Sequence, residues 1–379
     1  MTLPPLSLYI HTPWCVRKCP YCDFNSHEHR GDLPEKEFLA ALLDDLEQEL
    51  VHVQGRKLVS IFIGGGTPSL LSAGFYSHLL TALAAKIQFT PDIEITLEAN
   101  PGTFEQEKFA SFREVGINRL SIGVQSFSEQ HLQNLGRIHN GDEAHRAVEM
   151  AQAVGFDNIN IDLMFALSGQ SQQAAMDDLD QAIQLRPQHI SWYQLTIEQN
   201  TYFYKNRPVL PDDDFIWDMQ LAGKQRLEAA GFHNYEVSAY GQEGFRAAHN
   251  LNYWQFGDYL ALGPGAHGKI TTPDPFTVKR YWKTRAPADY LNPDKAYCAG
   301  SNILKKSDLG FEFMLNALRL VGGVSREVFT SHTGLPWSAV AGKVGQLVSE
   351  GLMWDDGTDF GPTPKGQQYL NFLLERFLD

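Results

Sequence analysis

Short β-branched or aromatic runs alternate with longer helical patterns through most of the first 235 residues, and this alternation constrains the fold more than any other feature. The strand candidates are LSLYIHT (6–12), LVSIFIGG (58–65), IEITLEAN (93–100), NRLSIGVQ (118–125), NINIDLMFAL (158–167) and HISWYQLTI (189–197). Helical stretches lie between them, among them 35–51, 75–87 and 143–155, the last stopping on Gly155. Six strand–helix units in series point to an α/β fold with a parallel sheet and helices outside. Eight units would close a full barrel, so the expectation is a partial, open (β/α)6 barrel of TIM type, with a doubly wound sheet as the competitor. In both, function gathers at the C-terminal ends of the strands.

The alternation fades after about residue 235. The segment TTPDPFTVKRYWKTRAPADYLNPD (271–294) carries Pro and Thr signals of a connecting region. From Ser307 the chain turns helical in three pieces, and LMWDDGTDFGPTPKG then reads as a hairpin turning at Asp356-Gly357. Three helices and a hairpin resemble a small winged-helix unit. The expected organisation is a first domain over 1–235, a connecting region over 236–306 and a winged-helix-like, mostly helical domain over 307–379.

Charge narrows the function. The formal net charge is -14, with 45 acidic against 31 basic residues, which disfavours a phosphate backbone as partner. Residues 301–379 carry seven Lys/Arg against nine Asp/Glu, so the winged-helix-like unit lacks the basic footprint of a DNA reader and reads as a lid or partner surface. The N-terminus shows no basic leader and no window offers the ~18 apolar residues of a membrane span. The chain reads as soluble and cytoplasmic, with peripheral membrane contact and homodimer formation left open.

Three of the four cysteines, Cys15, Cys19 and Cys22, lie in HTPWCVRKCPYCDF. Clustered thiolates suit a soft metal, whereas Cys298 in KAYCAG reads as a packed or surface thiol. Zinc would need a fourth ligand, for which His11, His27 and His29 are candidates. A four-iron cubane would take three thiolates and leave one iron for an exogenous chelate. The position after the first strand favours the cluster.

CVRKCPYC matches CxxxCxxC, the signature of the radical S-adenosylmethionine (SAM) superfamily, and GGGTPS (64–69) ends strand two where that superfamily has its glycine-rich motif. LEANPGT, RLSIGVQSF, LGRIHN and NIDLMFALSGQ further resemble the branch containing oxygen-independent coproporphyrinogen III oxidase. The resemblance implies a [4Fe-4S] cluster on Cys15, Cys19 and Cys22, completed by SAM. It also implies SAM contacts from Tyr9, Tyr21, Phe24, Gly65, Gly66, Thr67, Glu98, Gln125, Arg137 and Asp162.

Two features separate the chain from the oxidases. Their pattern continues to CxxxCxxCxC, whereas Phe24 stands here, and they carry an extension ahead of the cysteine loop. HNLNYW (249–254) instead matches the HNxxYW motif of the sister group of haem chaperones, where it is associated with haem. Imidazole is a common axial ligand of haem iron and aromatics can pack on a porphyrin, so His249 is the candidate haem residue and His267 a weaker second. GPGAHG (263–268) satisfies GxGxxG but Pro264 interrupts it and no helix follows, so it is no dinucleotide loop. The expected function is carriage of haem to respiratory haem proteins, with coproporphyrinogen III oxidation as the alternative. Whether the chain is a catalyst is left open, and catalytic residues are unassigned.

Overall fold

The computed structural model describes residues 2–102 and 106–378. Its first part repeats strand and helix: β1 Leu6–Thr12, α1 Glu35–Glu49, β2 Leu58–Gly65, α2 Ala73–Lys86, β3 Phe89–Ala99 and α3 Phe109–Glu114. β4 Arg119–Gln125, α4 Gly141–Ala153, β5 Ile159–Phe165, α5 Gln172–Gln184, β6 His189–Gln194 and α6 Asp213–Ala229 follow. β1 to β6 pair in chain order, all parallel. The expected six-unit open barrel is therefore what the chain forms.

Alternation along each strand sorts its side chains. Leu6, Leu8 and Ile10 of β1 and Ile61 and Ile63 of β2 join Phe38 and Leu42 of α1 and Leu79 and Leu83 of α2 in one apolar cluster. The other face of β1 carries Ser7, Tyr9 and His11, in register with Ser60, Phe62 and Gly64 of β2. The barrel interior is thus polar enough to need partners, and the Ser7 and Ser60 hydroxyls meet at 2.7 Å. Capping sets helix starts where the sequence offers them. Ser72 accepts from Phe75 N ahead of α2, and Asn140 with Glu143 forms a capping box ahead of α4.

The stretch 236–306, which reads as connecting, instead carries strands that extend the barrel sheet. β8 Ala239–Gly241 pairs antiparallel with β6, the short β7 His233–Asn234 just ahead of this stretch pairs antiparallel with β8 at the sheet's outer edge, and helix α7 Ala248–Trp254 follows. β9 Asp258–Leu262 then pairs parallel with the free edge of β1, and β10 His267–Pro273, β11 Phe276–Lys283 and β12 Cys298–Ile303 continue outward antiparallel. The sheet order is β12-β11-β10-β9-β1-β2-β3-β4-β5-β6-β8-β7. The Pro signals mark the turn between β10 and β11. Lysines disguise the strands: Lys269 and Lys283 are buried, each paired with buried acid.

The last part is α8 Leu309–Ala317, β13 Val324–Ser325, α9 Arg326–Thr333, α10 Ser338–Ser349, β14 Met353–Asp355 and β15 Asp359–Pro362. Its three strands pair in the order β13-β15-β14, a winged-helix arrangement over a separate core that includes Phe313, Phe329, Val344 and Phe360. Phe256 and Val278 enter that core and fasten it to the extended sheet. Among the described residues no helix is long and apolar enough to cross a membrane.

Candidate functional site

Cys15, Cys19 and Cys22 line one cavity of about 360 Å3 at the C-terminal ends of the parallel strands. Cys15 comes shortly after β1, past Pro13 and Trp14, and is buried, while Cys19 and Cys22 are half-buried, and all are free thiols. Burial pushes the Cys15 thiol up to about 11, with Cys22 and Cys19 adding to the shift and hydrogen bonds from Thr67 and Ser26 opposing it. Three converging thiolates would need positive charge beside them, which the irons of a cluster would provide. The donor set therefore fits a cluster. Of the histidines that could complete a zinc site, His11 has both ring nitrogens engaged, with the Tyr9 hydroxyl and Asn25 O, while His27 and His29 bond through Nε2 to Asn25 Oδ1 and Asp32 O, and none of the three lines the thiol cavity.

The same cavity brings together Tyr21, Phe24, Gly65, Gly66, Thr67, Glu98, Gln125, Arg137 and Asp162. Gly65 takes φ +113, a conformation that favours glycine, and its N–H donates to Glu98 Oε2 at 2.9 Å. At Gly66 a Cβ would stand 2.5 Å from Trp14 O, so this glycine lets the end of β2 meet the cysteine-bearing segment. Gly66 N and Thr67 N donate to Thr12 O and Trp14 O. The glycine-rich turn and the cysteine loop are thereby one unit.

Two acids face this space. Burial, and then the neighbouring Asp162, raises Glu98 to about 7. Burial also raises Asp162, against hydrogen bonds from Ser121 and Asn160. A ligand offering hydroxyl or ammonium donors would relieve both acids, as a ribose and an amino acid group can. Gln125 ends β4 in left-handed backbone (φ 68) and accepts from the Tyr193 hydroxyl at 2.7 Å. Arg137 donates to Asn100 Oδ1 (2.8 Å) and Gly123 O (2.5 Å), and its Nη1 lies 3.7 Å from Cys19 Sγ. Asn100, Ser121 and Tyr193 also line the cavity and were not singled out by sequence reasoning. Asn100 lies within the LEANPGT motif, and Tyr193 is the aromatic residue near the end of strand six, so both carried a signal.

Tyr9 does not line this cavity, although its hydroxyl feels the charge of Glu98. With His11, Tyr253 and His267 it lines a second cavity of about 680 Å3, and Phe24 walls both cavities. His249 lines neither. It is 1% exposed, at the start of α7, with Nδ1 2.9 Å from Ser60 Oγ and Nε2 unpartnered. The N–H groups of Ala248 and His249 donate to Glu94, so α7 is seated on the interior face of β2 and β3.

An open (β/α)6 barrel with a thiol triad after its first strand defines a radical SAM protein. A Radical SAM superfamily model matches residues 9–182, and a HemN C-terminal domain model matches 304–369. Within that superfamily the chain belongs to the HemW family. It is 50% identical to the protein named Heme chaperone HemW of Haemophilus influenzae, over 99% of this chain and 98% of that one. It is 47% identical to the Escherichia coli protein of the same name, over 99% of each. Among solved structures, coproporphyrinogen III oxidase (HemN) from Escherichia coli superposes with a TM-score of 0.82, covering 99% of this chain and 90% of that chain at 21% identity, a likeness of fold.

Proposed function

We propose that this chain is a haem chaperone of the cytoplasm that hands haem to respiratory haem proteins, with a [4Fe-4S] cluster on Cys15, Cys19 and Cys22 and SAM bound beside it. The end-to-end match to relatives named for haem carriage is the observation that carries this reading. The shared cavity of thiols and SAM-type contacts supports the cofactor part. When bound, the cluster offers an open iron site and a source of single electrons. The chain's own residues do the rest. Glu98 and Asp162 accept hydrogen bonds from the ligand's donors, Arg137 presents a fixed cation beside Cys19, and Phe24 lines the cavity where a further cysteine would stand in the oxidases.

The test is anaerobic reconstitution, followed by iron, sulfide and SAM-binding measurements and a haem titration. Coproporphyrinogen III with SAM and a low-potential reductant is then supplied. Cluster, SAM and haem binding without divinyl product is the expected result. Product formation abolished by Cys19→Ser would overturn carriage in favour of oxidation.

A further inference from the structure

Resting on that reading, we infer that the second cavity, on the free-edge side of the barrel, is the seat of the haem, with His267 as the iron ligand and not the buried His249. The cavity measures about 680 Å3, inside the ~300–1,000 Å3 of ordinary ligand pockets. It lies between the cysteine loop and the strands β9, β10 and β11 that extend the sheet beyond β1.

Four features suit a planar, anionic metalloporphyrin. His267 is exposed at the start of β10, and neither ring nitrogen is engaged in a hydrogen bond among the described residues. Trp282 stands directly across the strand pair from it, with ring centroids 6.4 Å apart, and is 37% exposed. Phe24, 56% exposed, adds a further ring to the cavity lining from the cysteine loop. These rings together present stacking surface beside a free imidazole. Arg285, three residues beyond Trp282, is exposed and makes no ion pair among the described residues, so its guanidinium can take a propionate in bidentate fashion.

This placement also gives the HNxxYW motif a part. Its Tyr253 lines the cavity wall, edge-on to His249 at 4.6 Å, whereas His249 itself lies sealed against Ser60. The motif would then shape the haem seat through Tyr253, with the histidine positioning that ring. Phe24, shared between the two cavities, would put the porphyrin edge against the cluster compartment.

The experiment titrates the full-length reconstituted protein with ferric protoporphyrin IX and, separately, with metal-free protoporphyrin IX. His267→Ala should weaken ferric haem binding tenfold or more and alter the Soret and EPR signature of the axial ligand, while changing metal-free porphyrin affinity less than twofold. Trp282→Ala and Arg285→Gln should weaken both porphyrins. His78→Ala, an exposed histidine on α2, should change neither. Stoichiometric haem binding by the wild type with unchanged spectrum and affinity in His267→Ala and Trp282→Ala would overturn this site and leave haem carriage standing. Failure of the wild-type protein to bind haem at all would overturn both.

Discussion

The Nδ1 atom of His249 lies 2.9 Å from the hydroxyl of Ser60, which in turn meets Ser7, so the motif histidine is locked into the interior of the barrel. Its ring packs against Phe62 at 5.1 Å and Tyr253 at 4.6 Å. Replacing it with alanine opens a cavity and strands the serine pair. His249→Ala should therefore lose ~2–4 kcal/mol of stability, read from urea unfolding midpoints. A variant that lost haem yet kept the wild-type midpoint would instead give His249 a direct role in binding.

Acid should unfold the protein through its buried imidazoles. Burial lowers His249 to about 3, His11 to about 4 and His139 to about 3, so all three are neutral at pH 7 in the fold. An unfolded histidine takes up its proton near 6.5. A folded value below the unfolded one means stability is complete above about 6.5 and is lost as pH falls toward the folded values. Thermal midpoints of the cluster-free protein should fall progressively from pH 6.5 to 4. A flat profile over that window would contradict neutral burial of these rings.

Glu98 has the opposite sign. Its folded value, raised to about 7, lies above that of an unfolded glutamic acid, so its ionisation opposes folding as pH rises through 7. Glu98→Gln should thus stabilise the ligand-free protein by ~1–2 kcal/mol at pH 8 and have little effect at pH 5. The same change should weaken SAM binding, since it replaces an acceptor-only group with an amide. Stability gained with binding lost is the pattern of a residue kept for its ligand. Equal stability of the two proteins at pH 8 would count against this.

The sequence showed some of this plainly and hid the rest for physical reasons. Leu6–Thr12 and Leu58–Gly65 were readable to the residue because the runs are flanked by Pro and Lys at their starts and by Pro or Gly at their ends. The cysteine triad and the glycine turn were readable because each is contiguous. The strands of 258–303 were not, since Lys269 and Lys283 look like solvent-facing residues until folding brings Asp258 of the neighbouring strand to the first and Asp45 and Glu49 of α1 to the second. The same is true of the second cavity. Tyr9, Phe24, Tyr253 and Trp282 meet only because β9 pairs with β1, which no local pattern announces.

The thiols should divide three to one. Cys15→Ser, Cys19→Ser and Cys22→Ser should each remove most of the reconstituted iron and sulfide. Cys298→Ser should leave both at wild-type levels, because Cys298 is exposed on β12 and lies outside the thiol cavity. Arg137→Lys should keep the cluster but weaken SAM binding about tenfold, since an ammonium cannot span Asn100, Gly123 and Cys19 as the guanidinium does. Iron loss in Cys298→Ser would bring that residue back as a ligand.

Lys283 ties the extended sheet to the barrel. Its ammonium reaches Asp45 at 2.5 Å and Glu49 at 2.7 Å, both on α1, and the Tyr290 and Tyr281 hydroxyls donate to the same two carboxylates. All five side chains are buried. Burial raises Asp45 to about 6 even with Lys283 holding it down, so the site tolerates its negative charge only with that cation present. Lys283→Met fits the space but leaves two acids without a counter-ion, and should cost ~3–5 kcal/mol at neutral pH. Protonation of the orphaned acids offsets the loss at lower pH, so the gap to wild type in urea midpoint should be smaller at pH 5.5 than at pH 8. Adding Asp45→Asn to the variant should recover part of the loss. A gap that did not change with pH would mean that packing, and not the two acids, sets the cost.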